Sequence, residues 1–184
     1  MYTDPIRVFM EYIDNALDAA ELVNTFLITL GHLAEYKNDI NIDVNITGKT
    51  YWSGKVKITD NCAGMERLSK VVEQIGNSEK KSQAWLNGQF GYGIYSFLAI
   101  CNTLEIKTKH TNNYYSEYIK INKKDFLIDD LSNLKFDIKH EPPHVAVSGT
   151  EVTLSGFTKE SWLDIDPKLL KSEIENHFEL LLKA

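Results

Sequence analysis

The stretch Glu11-Tyr12-Ile13-Asp14-Asn15-Ala16-Leu17-Asp18-Ala19 sits inside a longer apolar periodicity and is read first. Apolar residues recur at Ile6, Phe9, Ile13, Ala16, Ala20, Val23, Phe26, Leu27, Leu30 and Leu33, which is helical spacing. Asp4 followed by Pro5 supplies an N-cap and an N1 proline. One helix, or two broken near Gly31, is expected over residues 5–36. At about 100° per residue, Glu11, Asn15 and Asp18 fall within about 60° of one another. Phe9, Ile13, Ala16 and Ala20 lie roughly opposite. Two carboxylates and an amide thus share one stripe, which is either a solvated helix face or one wall of a site.

Outward from this helix, Ile40, Ile42, Val44 and Ile46 alternate, and Val56 and Ile58 resume the alternation up to Asp60 after a turn at residues 48–54. That pattern predicts a hairpin. Met65, Leu68, Val71, Val72 and Ile75 return to helical spacing, residues 76–88 are polar and aperiodic, and residues 94–101 read as a short apolar helix. Strands are expected at 104–109, 114–121, 134–138 and 150–154, and an amphipathic helix at 167–183. The chain stops there without a cap or polar tail, and a boundary inside a longer protein is expected. Strands that pair in hairpins, with helices needing one covered face, predict an α/β (α+β) two-layer sandwich with a mixed, mostly antiparallel sheet.

Composition narrows the function classes. The chain has 184 residues, 43% hydrophobic and 25% charged, which suits one globular domain and excludes a disordered or fibrous one. Lys+Arg total 20 against Asp+Glu 26, a formal charge of −6. That balance argues against a surface built for nucleic acid. Cys62 and Cys101 have no partners at metal or disulfide-framework spacing, which points to a reduced, cytoplasmic setting. The apolar run 22–34 is too short to span a bilayer. His140-Glu141-Pro142-Pro143-His144 spells a zinc motif, but two prolines forbid the helix that would align its histidines.

Two further segments carry candidate chemistry. Asp60 ends a strand and is followed by Asn61-Cys62-Ala63-Gly64-Met65. A strand-end carboxylate accepts a hydrogen bond from an amine, and a small-residue turn lets a flat ring approach the backbone. An ordinary Asp-Asn turn is the plainer reading. Gly88-Gln89-Phe90-Gly91-Tyr92-Gly93 runs into an apolar helix, so several backbone N–H groups can converge on an anion. It is neither a P-loop nor the dinucleotide fingerprint, because the Gly-Lys-Ser/Thr ending and the glycine order are wrong.

In order and spacing, Glu11 to Ala19, Asp60 to Met65, Gly88 to Ser96 and Gly149-Thr150-Glu151-Val152-Thr153 resemble the four motifs of the GHKL ATPases. That superfamily of gyrase, the ninety-kilodalton heat-shock chaperone, histidine kinases and MutL shares the Bergerat ATP-binding fold. The third motif resembles the heat-shock chaperone most, and MORC-like members are similar too. The resemblance implies a single ATP-binding domain over residues 1–184, with ATP and Mg²⁺ as cofactors and slow hydrolysis in the isolated domain. Glu11 would be the general base, Asn15 the Mg²⁺ ligand, and Asp18 a bridge to the nucleotide through water. Asp60 would accept from the adenine amine, with Gly64 and Met65 packing the base and Thr150 supporting the water network near Asp60. Gly88, Gln89, Phe90, Gly91, Tyr92 and Gly93 would cradle the phosphates. Asn77, Ser78 and Lys80 would belong to a lid over residues 76–88, with Lys81 and Trp85. An ATP-dependent homodimer and further domains downstream are implied as partners.

Two departures bear on activity. The second motif of the family reads D-x-G-x-G, and here Cys62 takes the first glycine position, which matters if that residue must have positive φ. Relatives also complete catalysis with a Lys or Arg from a following domain. A histidine-kinase-like phosphotransferase and a binding-only ATP sensor are the competing readings. Glu11 favours hydrolysis over the former, and Cys62 keeps the latter open.

Overall fold

A computed structural model of the chain describes residues 4–29, 40–73, 93–127 and 134–182. Helix α1 (Pro5–Thr29) starts where the sequence places it, with Asp4 Oδ1 accepting from Ile6 N at 2.9 Å. The segment after residue 29, Gly31 included, lies outside the described residues. Strands β1 (Ile42–Thr47) and β2 (Lys55–Asp60) form the expected hairpin in antiparallel register, Ile42 opposite Asp60. Helix α2 (Leu68–Glu73) follows the turn at residues 61–67. The sheet continues with β3 (Cys101–Lys109), β4 (Ser116–Asn122), β5 (Lys139–Glu141) and β6 (Gly149–Phe157), and the chain closes with α3 (Lys159–Leu163) and α4 (Pro167–Leu182).

The six strands lie in the order β1-β2-β6-β3-β4-β5, and all five pairings are antiparallel. Register turns the alternation of each strand into rows across the sheet. Val56, Leu154, Leu104 and Ile121 form one row, and Ile58, Val152, Ile106 and Ile119 the next. All eight are buried under the helices. A third row, Asp60–Thr150–Thr108–Glu117, ends the same face with polar side chains. The opposite face carries ion pairs instead, Lys57–Glu151 at 3.0 Å, Lys120–Glu105 at 3.2 Å and Lys107–Glu141 at 2.7 Å. One apolar face and one charged face are what a two-layer α+β sandwich requires.

Phe9 and Ile13 of α1 are fully buried on this sheet, and Phe9 meets Phe157 edge to face at 6.4 Å. Burying a side chain of that size contributes roughly 1.5–3 kcal/mol. Leu170 inserts from α4, and His177 Nε2 reaches Asp14 Oδ1 of α1 at 2.8 Å. Among the described residues no helix is long and apolar enough to cross a membrane.

Two expectations are corrected. Residues 134–138 form no strand. Their alternation is real, but Phe136 packs against the Phe126 ring at 6.2 Å, and sheet pairing begins only at Lys139. The short apolar helix is 3-10 over Gly93–Ala99, closed by Ile100 N donating to Phe97 O, and Cys101 already belongs to β3. Its buried pairs Ile94-Tyr95 and Phe97-Leu98 fit either helix type. Two short elements have no expectation behind them. They are α3, capped by Thr158 Oγ1 accepting from Ser161 N, and a 3-10 turn at Lys123–Phe126, where Asp125 accepts from Asn122 N. His140 and Glu141 sit on β5 and His144 in the bend after it, so the two histidines share no helix face.

Candidate nucleotide site

A cavity of about 410 Å³ opens between α1 and the sheet. Its volume lies within the range of small-molecule sites. Four separate stretches of sequence meet there. Glu11 and Asn15 come from α1, Asp60, Gly64 and Met65 from the end of β2 and its turn, Gly93 from the start of the 3-10 helix, and Thr150 from β6. Ile58, Ile106 and Val152 line it as well, and these three stand side by side in the second apolar row. The sheet wall of the cavity thus joins an apolar row to Asp60 and Thr150, and Glu11 faces it from α1.

At the α1 end, Glu11 and Asn15 are one helical turn apart and face Gly93. A methyl built on Gly93 would sit 2.9 Å from Glu11 Oε2 and 3.9 Å from Asn15 Nδ2, so any side chain there would crowd the carboxylate. Partial burial raises the Glu11 pKa above its ordinary value, and the neighbouring charge of Asp14 adds to the shift. Tyr12, also in the wall, donates its hydroxyl to Ile94 O at 2.8 Å and ties α1 to the 3-10 helix.

At the other end, Asp60 is mostly buried. Burial raises its pKa, opposed by hydrogen bonds from the backbone of Cys62 and Thr150. Asp60 Oδ1 accepts from Cys62 N at 2.9 Å, which closes the turn. Gly64 has φ +69°, and a Cβ on it would lie 2.1 Å from Lys109 O. The turn is pressed onto the end of β3: Met65 N donates to Thr108 Oγ1 at 2.8 Å, and Thr111 N donates to Ala63 O at 3.1 Å.

Cys62 does not carry the backbone strain considered above. No non-glycine residue among the described ones has positive φ. The Cys62 side chain is buried, with Sγ 3.8 Å from the Ala16 carbonyl of α1. Burial first, then the Asp60 charge, push its pKa up to about 12, so it stays a protonated thiol that packs the turn against the helix.

Asp18 is exposed and does not line the cavity. Asn77, Ser78, Lys80, Gly88, Gln89, Phe90, Gly91 and Tyr92, with the rest of residues 76–88 where a lid is expected, lie outside the described residues. One participant has no signal in the sequence. Thr108 is 1% exposed, and its hydroxyl joins Met65 N, Thr150 Oγ1 and Gly149 O. Within a strand it reads as one more β-branched residue, and only register across β2, β6 and β3 places it beside Asp60 and Thr150.

A family model described as histidine kinase-, DNA gyrase B- and HSP90-like ATPase matches residues 2–144. Similar curated proteins include chaperone protein HtpG of Psychromonas ingrahamii, 24% identical over 98% of this chain and 29% of the relative. HtpG of Helicobacter pylori is 27% identical over 87% of this chain and 25% of the relative. HtpG of Shewanella frigidimarina is 27% identical over 64% and 20%. The chain spans less than a third of the length of these relatives. With a model match over most of its length, the chain belongs to the histidine kinase-, DNA gyrase B- and HSP90-like ATPase family.

Proposed function

We propose that this chain is a Mg-ATP-binding ATPase domain, an ATP-gated conformational or dimerisation clamp of chaperone-like or MORC-like type. The observation that carries the reading is the convergence of Glu11, Asn15, Asp60, Gly64, Met65, Gly93 and Thr150 on one cavity. The residues present fit the ligand. Ile58, Ile106 and Val152 suit the flat face of a base, and Asp60 suits an amine donor on its edge. At Gly93 the absence of a side chain lets the Glu11 carboxylate lie against the start of the 3-10 helix.

In this reading Asp60 accepts from the adenine amine, while Gly64 and Met65 pack on the ring and Thr150 supports the water network near Asp60. Gly93 contributes to the phosphate cradle, with Gly88, Gln89, Phe90, Gly91, Tyr92 and the lid residues Asn77, Ser78 and Lys80 assigned to the same task. Asn15 offers an amide oxygen to Mg²⁺, a hard cation that takes such ligands and keeps several waters. When bound, the ion supplies charge neutralisation on the phosphates. Glu11 holds the attacking water and takes its proton as general base. Asp18, exposed on α1, reaches the nucleotide only through water.

Residues 1–184 are assigned to one domain, cytoplasmic in setting, with slow hydrolysis on its own and an ATP-dependent homodimer as its partner state. The test is Glu11→Ala in this chain. ATP binding is expected to persist while phosphate release stops. Loss of binding together with hydrolysis would contradict the base assignment.

A further inference from the structure

We propose that Thr108 is a positioning residue that sets the base selectivity of the site, by fixing which way the Thr150 hydroxyl donates. The proposal rests on the nucleotide reading above and deepens it. Thr108, Thr150 and Asp60 stand in one cross-strand row, Asp60 opposite Thr150 on β2 and β6, and Thr150 opposite Thr108 on β6 and β3. Asp60 and Thr150 line the cavity, whereas Thr108 lies behind them, buried.

A hydroxyl has one proton and two lone pairs. Thr108 Oγ1 accepts from Met65 N at 2.8 Å, so one lone pair is committed to the turn that carries Gly64. Its proton has two acceptors within reach, Thr150 Oγ1 at 3.1 Å and Gly149 O at 3.4 Å, both on β6. Donation to the nearer one, Thr150, frees the Thr150 proton for the cavity. The rim then presents an acceptor, the Asp60 carboxylate, beside a donor, the Thr150 hydroxyl. Adenine offers the complement, an amine next to a ring-nitrogen acceptor, while guanine offers a carbonyl next to a ring N–H and mismatches both. The Thr108 hydroxyl meets Met65 N, Gly149 O and Thr150 Oγ1, all beside Asp60.

The experiment titrates ATP and GTP into the wild-type chain and into Thr108→Val, Thr108→Ala and Thr108→Ser, with thermal melts to verify folding. Thr108→Val is expected to weaken ATP about tenfold, the worth of one buried hydrogen bond, and to narrow the ATP-over-GTP preference. Thr108→Ser, which keeps the hydroxyl, restores both. Under saturating nucleotide kcat stays at the wild-type value while KM rises, because the catalytic end is untouched. Thr108→Ala leaves room for a water and decides the matter if the valine variant melts early. Equal loss of ATP and GTP in all three variants would mean a purely structural role and overturn the proposal. So would an unchanged ATP-over-GTP ratio in the Val and Ala variants. A wild-type chain that binds neither nucleotide removes the site reading itself, and the proposal with it.

Discussion

Gly64 and Gly156 both have φ +69°, yet a methyl group on each meets different surroundings. At Gly156 the nearest atom is the side-chain Cβ of Asn102 at 3.2 Å, a contact that yields with a small shift. At Gly64 the nearest atoms are all backbone, Lys109 O at 2.1 Å, Lys109 C at 2.6 Å and His110 N at 3.0 Å. Gly156→Ala therefore costs only the left-handed backbone strain, about 1–2 kcal/mol. Gly64→Ala adds a separation of the turn from β3 by about 1 Å, more than a hydrogen bond tolerates. The bonds that hold the turn, Met65 N to Thr108 Oγ1 and Thr111 N to Ala63 O, stretch or break, at roughly 0.5–1.5 kcal/mol each. The total for Gly64→Ala is about 2–5 kcal/mol, a large part of the stability of a domain of this size. Urea unfolding of both variants, with and without ATP, measures the difference. Gly64→Ala is expected to unfold at lower urea than Gly156→Ala by about 1–3 kcal/mol, and to lose the stabilisation that ATP confers. Equal destabilisation of the two variants, or an ATP response in Gly64→Ala as large as in the wild type, would refute the claim that the turn is locked onto β3.

Four further outcomes follow from the structure. Asp60→Asn is expected to weaken ATP by roughly 1.5–3 kcal/mol, the range for a hydrogen bond to a charged group, and calorimetry checks it. The same substitution should raise the melting temperature of the nucleotide-free chain at neutral pH. Burial raises the folded pKa of Asp60 above its unfolded value, so the native state binds more protons and loses stability as pH rises through that window. The acid limb of kcat/KM should fall at a pH above the ordinary glutamate range, because burial and Asp14 raise the Glu11 pKa, and Glu11→Gln should abolish the activity rather than shift the limb. His144 behaves oppositely. Burial lowers its folded pKa below 6.5, so its contribution is intact above that pH and is lost as pH falls through the folded pKa. Chemical denaturation between pH 7 and 5 should show this loss, and His144→Asn should flatten it.

Much of the fold is legible because one face is buried. The alternation at Val56-Ile58 and the helical spacing from Ile6 to Ala20 describe the same core from two sides. Residues 134–138 show the limit. Alternating burial arises wherever an extended segment leans on a ring, here Phe126, and says nothing of hydrogen-bond partners. Cavity-lining residues were legible where chemistry and spacing coincide, as in Glu11 with Asn15 and Asp60 with Gly64. Thr108 was not, since its role depends on the register of three strands far apart in sequence. Nor does sequence alone give the φ of Cys62, whose place in a glycine position turns out to cost no left-handed backbone.

The central claim is that the cavity between α1 and the sheet binds a nucleotide with a cation. Calorimetric titration of ATP and ADP into this chain, with and without Mg²⁺, tests it most directly. The account predicts saturable binding of both nucleotides, with ATP tightened by Mg²⁺ and the Mg²⁺ effect lost in Asn15→Ala. Heat no different from buffer at millimolar nucleotide, or binding that Asp60→Asn leaves unchanged, would contradict it.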